Sequence, residues 1–118
     1  MSYDVLLLRK EVKELNSALD FLENPELIPH FTLNQYSRLK NFLIQFGYHI
    51  ENEQAGVITF NFKGGLYGIT AALFSNQLSL KCAGFSEEGI FEISQTASEL
   101  TDNEIVKLDL QTGSWEQD

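Results

Sequence analysis

The chain has 118 residues, of which 17 are Asp or Glu and 8 are Lys or Arg, giving a formal net charge of −9. That length holds one compact core and not two, and 43% hydrophobic residues are too many for a disordered acidic tail. One cysteine excludes an internally stapled disulfide scaffold, and the acidic balance argues against a nucleic-acid binder, which needs Lys and Arg to release counterions from phosphates.

In chain order, Tyr3 to Leu8 reads as a strand, and the run Val5-Leu6-Leu7-Leu8 leaves it no polar face, as suits a strand covered on both sides. A helix follows from Lys10 to Glu23, with Val12, Leu15, Leu19 and Leu22 on one stripe, and Asn24-Pro25 ends it. After a loop holding Pro29 and His30, Thr32 with Gln35 three residues on has the capping-box pattern. This second helix runs to Phe46, with Tyr36, Leu39, Leu43 and Phe46 as its apolar stripe and Gly47 as its terminator. The period then changes from helical to alternating. Tyr48 to Glu51 and Gly56 to Phe62 read as strands, the latter with Ile58, Phe60 and Phe62 on one face. Lys63-Gly64-Gly65 turns the chain into a return arm from Leu66 to Phe74 with Tyr67, Ile69, Ala71 and Leu73 alternating. Ser75-Asn76-Gln77 turns it again into Leu78 to Cys82. A third helix spans Glu87 to Leu100, with Ile90, Ile93, Ala97 and Leu100 on one stripe, and a last strand spans Ile105 to Leu110.

The expected architecture is one α+β domain over residues 1–118, in the order β-α-α-β-β-β-β-α-β. Single-striped helices must cover a sheet, so the expectation is a mixed, mostly antiparallel sheet with helices mainly on one face. The strands before and after the third helix could pair in parallel through a right-handed crossover. No stretch approaches the roughly 20 consecutive apolar residues of a membrane span. Met1-Ser2-Tyr3-Asp4 lacks the basic start and apolar core of an export signal, so the expected compartment is the cytoplasm.

Motifs that carry chemistry are sparse. His30, His49 and Cys82 have no metal-ligand spacing, so no metal or cofactor is expected. Cys82 at a strand end fits a core thiol better than a nucleophile. Lys63-Gly64-Gly65-Leu66-Tyr67-Gly68 is glycine-rich, but strands flank it on both sides, whereas a phosphate loop opens a helix. Glu87 and Glu88 suit the dipole at the start of the third helix. A small-ligand pocket lined by Tyr36, Tyr48, Phe60 and Tyr67 is the alternative to a purely protein-binding role.

Charge is the feature that exceeds background. From Ala83 onward there are nine acids, including Glu87, Glu88, Glu92, Glu99, Asp102 and Asp109, against the single base Lys107, a balance of −8. The preceding stretch, with 8 acids and 7 bases, is nearly neutral. One-signed charge steers association with a partner of the opposite sign, and it also keeps a small domain soluble. Trp115 is read as folding back over a sheet edge, with a partner anchor as the other reading.

Two stretches, Ser2-Tyr3-Asp4-Val5 and Leu108-Asp109-Leu110-Gln111-Thr112-Gly113-Ser114-Trp115, resemble the ends of a loose group of small bacterial proteins. Those proteins begin with a Ser-Tyr-Asp strand and end in a Tyr-Asp-Pro-Gln-Thr-Gly-x-Trp type segment; Leu110 stands here in the proline position. Some of the group resemble immunity proteins encoded beside polymorphic or contact-dependent toxins. The resemblance implies no catalytic residues. It implies a small, acidic, cytosolic, non-enzymatic binder of a basic toxin-like protein, for which Glu87, Glu88, Glu92, Glu99, Asp102 and Asp109 are the expected contact residues.

Overall fold

A computed structural model describes residues 3–15, 28–84, 86–111 and 114–116. The expected end of the first helix at Asn24-Pro25, and Ser2, Thr112 and Gly113 of the terminal segments, lie outside the described residues. A seven-stranded sheet has the order β2-β3-β4-β5-β1-β6-β7. Its strands are β1 (Tyr3–Arg9), β2 (Tyr48–Gln54), β3 (Val57–Phe62), β4 (Ile69–Phe74), β5 (Leu78–Cys82), β6 (Ile105–Asp109) and β7 (Ser114–Glu116). The helices are α1, described over Lys10–Leu15, α2 (Leu33–Gln45) and α3 (Glu87–Leu100). The fold is α+β, as expected.

β1 explains the arrangement. It pairs antiparallel with β5 on one side, through Val5↔Leu80 and Leu7↔Leu78, and with β6 on the other, through Leu6↔Leu108 and Leu8↔Val106. Its four consecutive apolar residues are all buried, alternately on opposite faces. Val5 and Leu7 join the main core with Leu39 and Leu43 of α2 and Ile93, Ala97 and Leu100 of α3. Leu6 and Leu8 join a second cluster with Val12 of α1, Ile28 and Leu108. A strand that is apolar on both faces is stable only where both faces are covered, so β1 takes the slot between α1 and the α2/α3 layer. This corrects one expectation. The strands flanking α3 do not pair in parallel; β1 lies between them, and every described strand pairing is antiparallel.

β2 to β5 form the expected meander, with Ile58, Phe60, Phe62, Ile69, Ala71, Leu73, Leu78, Leu80 and Cys82 all on the α2/α3 face. The Thr32 hydroxyl accepts from Gln35 N–H at 3.1 Å, and the Gln35 side chain accepts from Thr32 N–H at 2.8 Å, so the capping box forms. The return arm is shorter than its alternation suggests. Leu66–Gly68 is a single 3-10 turn, Tyr67 within it has φ 59, and β4 begins only at Ile69. Period-2 apolar spacing at Tyr67 therefore reflects no strand. The Tyr67 ring is exposed, and the turn carries it toward α3, whose start lies against the same turn. At the chain's other end, the β7 backbone pairs with β6 in the register Leu108↔Trp115. Among the described residues, no helix is long and apolar enough to cross a membrane.

Candidate functional site

α3 is positioned by its buried stripe. Ser86 caps it, its hydroxyl accepting from Gly89 N–H at 3.1 Å. Gly89 is buried, and a Cβ there would collide with the Cys82 Sγ of β5 and sit 2.8 Å from Ser86 Oγ. The helix can approach the sheet this closely only because residue 89 has no side chain. The Cys82 thiol donates to the Tyr67 carbonyl at 3.4 Å, which ties the 3-10 turn to the same seat.

A second tie holds the middle of the helix. Thr96 Oγ1 donates to the Glu92 carbonyl at 3.0 Å, and Tyr48 Oη lies 3.0 Å from Thr96 Oγ1. A threonine hydroxyl carries one proton. With that proton committed to Glu92, the Tyr48 phenol must be the donor in the second bond. Burial, reinforced by the Glu92 charge and only partly offset by the Thr96 bond, pushes the Tyr48 phenol up to about 12. It keeps the proton it donates.

The outward face of α3 carries the acids. Glu88, Glu92 and Glu99 are spaced i, i+4 and i+11, which places them within about 40° of each other around the axis and spreads them over about 16 Å. Glu87, Glu88 and Glu92 converge with Phe91 and Tyr67 around a shallow, open depression of about 390 Å³. Phe91 is 58% exposed and Tyr67 39% exposed. Among the described ion pairs, none involves Glu87, Glu88, Glu92 or Glu99.

Of the six expected contact residues, the structure therefore gathers Glu87, Glu88 and Glu92, and sets Glu99 further along the same stripe. Asp102 and Asp109 stand apart and have internal work. Asp102 pairs with Arg38 at 3.0 Å and accepts from the backbone N–H groups of Glu104 and Ile105. Arg38 also donates to the Leu100 carbonyl, so this corner closes the C-terminal end of α3 against α2. Asp109 accepts from both the backbone and the side-chain N–H of Gln111.

Other candidate groups do not meet. His30 is exposed before α2, and its carbonyl accepts from Arg9. His49 is exposed on edge strand β2, on the face opposite the α2/α3 layer, whereas Cys82 is buried under α3 three strands away. At about 4.8 Å per strand that is about 14 Å. The four aromatics of the small-ligand reading are likewise dispersed. Tyr48 and Phe60 are buried core side chains, Tyr36 packs against that core, and Tyr67 alone reaches the depression.

Sequence reasoning found the carboxylates and missed Phe91. A signal for it existed: Phe91 falls outside the Ile90, Ile93, Ala97, Leu100 stripe, so a large apolar ring had to lie on the polar side of the helix. Compared with protein-family models, with curated proteins and with solved structures, the chain matches none.

Proposed function

We propose that this chain is a non-enzymatic protein-binding module that takes a basic protein partner on the outer face of α3, in the manner of an immunity-type inhibitor covering the cationic active site of a toxin. The observation that carries this reading is the exposed Phe91 lining one open depression with Glu87, Glu88 and Glu92. Single exposed apolar side chains are ordinary, and Leu33 and Ile44 are exposed as well; what sets Phe91 apart is that it shares one depression with a second exposed ring, Tyr67, and three carboxylates. Interfaces commonly combine an aromatic anchor with a charged rim that speeds encounter. The −8 balance of the final third supplies the long-range field.

The test is affinity capture at low salt from the native host, with retained proteins identified and their isoelectric points compared. The wild-type chain is expected to retain a basic protein that elutes as salt rises. The double variant Glu87→Lys/Glu88→Lys is expected to lose it, because both positions are exposed in the first turn of α3 and neither side chain belongs to its buried stripe. Retention of no basic protein, or equal retention by the charge-reversed chain, overturns the proposal.

A further inference from the structure

The depression beside α3 has a more specific shape than an acidic surface requires. Two aromatic side chains from different elements, Tyr67 on the 3-10 turn and Phe91 on α3, line it together with Glu87, Glu88 and Glu92. Neither ring belongs to the core, and both are accessible. The α3 sequence contains no Lys or Arg, so the helix itself brings no cation to the rim. What fits this chemistry is a group that is positively charged and also able to lie against an aromatic face.

We propose, building on the protein-binding reading above, that this depression seats one arginine side chain of the partner. The guanidinium is planar and weakly hydrated, stacks on aromatic rings, and presents several N–H donors that carboxylates can accept. A lysine ammonium is a strongly hydrated point charge and gains less from ring walls. The guanidinium lies against Phe91 and Tyr67 and donates to carboxylates of the rim, so the aromatic pair sets the preference for arginine and the glutamates set the preference for charge.

Nuclear magnetic resonance titration of the intact chain with N-acetyl-arginine amide tests this, using the backbone amides of Tyr67, Gly68 and Phe91 as reporters. N-acetyl-lysine amide and N-acetyl-citrulline amide serve as controls, citrulline being the uncharged isostere. The expected result is saturable shifts with arginine, weaker ones with lysine and none with citrulline. Phe91→Ala is expected to abolish the shifts while the rest of the spectrum is unchanged, and Glu88→Gln/Glu92→Gln to weaken them several-fold. No saturable shift with arginine, equal shifts with lysine or citrulline, or shifts indifferent to Phe91→Ala would each overturn the seat. The two proposals fail separately. If partner capture depends on Glu87 and Glu88 but arginine amide does not bind, the seat falls and the docking face stands. If arginine amide binds but no basic protein is captured, the depression's preference for a guanidinium stands, and its assignment to a partner's arginine falls with the docking reading.

Discussion

Tyr48 shows how one side chain can tie a sheet to a helix. Its ring is buried and lies 4.8 Å from that of Phe62, while its hydroxyl reaches across to Thr96 on α3. Because the Thr96 proton is already committed to the Glu92 carbonyl, a Tyr48→Phe substitution leaves Thr96 still bonded and removes only the inter-element bond. The expected cost is about 1 kcal/mol in denaturant unfolding, the net worth of one hydrogen bond. The same variant separates the pH behaviour. An unfolded tyrosine ionises near 10, whereas the native phenol is pushed up to about 12. Below pH 10 both states hold the proton and stability is unaffected. Between the two values the unfolded chain has released a proton that the native state retains, so Tyr48 makes stability fall as pH rises, by up to about 1.4 kcal/mol per pH unit. Unfolding free energies measured from pH 9 to 12 are expected to decline less steeply in Tyr48→Phe than in the wild type. Parallel curves would show that Tyr48 is not the responsible group.

At the scale of elements, what was legible in the sequence tracks how local the cause is. α2 begins at a Thr32/Gln35 capping box and is followed by a positive-φ Gly47, both written within a few residues, and the structure places its ends accordingly. α3 falls on its expected residues for the same reason: Ser86 caps it and its stripe faces the core. The 3-10 turn was illegible because Tyr67 sits at an apolar position of an alternating pattern, while its left-handed backbone answers to the turn between β3 and β4. The carboxylates of the candidate site were readable as charge, but their meeting with Tyr67 was not, since it depends on how α3 seats on β5. Gly89 governs that seating. Gly→Ala inside a helix ordinarily gains up to about 1 kcal/mol. Here the added methyl would run into Cys82 Sγ and Ser86 Oγ, and overpacking of this kind costs about 1–3 kcal/mol. Gly89→Ala is therefore expected to lower the melting temperature, with part of the loss recovered in a Cys82→Ala background. An additive double-mutant cycle would refute the direct contact.

The whole molecule is organised around a strand that comes first in the chain and lies inside the sheet. β5 and β6 touch β1 on either side and not each other, so β1 joins the meander of β2–β5 to the β6–β7 hairpin. It also separates the two apolar clusters, one on each face. Opening β1 therefore breaks both ladders and exposes both clusters at once, which is close to complete unfolding. β2 is the opposite case. Among the described strands it pairs only with β3, all its residues after Tyr48 are exposed, and its register shifts between Ile50 and Asn52. Glu51 and Glu53 on this irregular edge discourage pairing with another strand, a device that protects sheet edges from aggregation. Native-state hydrogen exchange should separate the two strands. Amides of Val5 to Leu8 are expected to exchange with the free energy of global unfolding, and to respond to denaturant with the full slope of the global transition. Amides of Asn52 to Gln54 are expected to exchange through local opening that denaturant barely affects. If β1 amides exchanged by a small, denaturant-insensitive opening while β4 and β5 stayed protected, the sheet would not be one cooperative unit. The docking face proposed on α3 would then rest on a layer able to detach from β1, and binding of such a partner would be expected to slow β1 exchange. In a single cooperative unit, a partner on α3 raises the protection of β1 and β5 amides equally, by the free energy of binding.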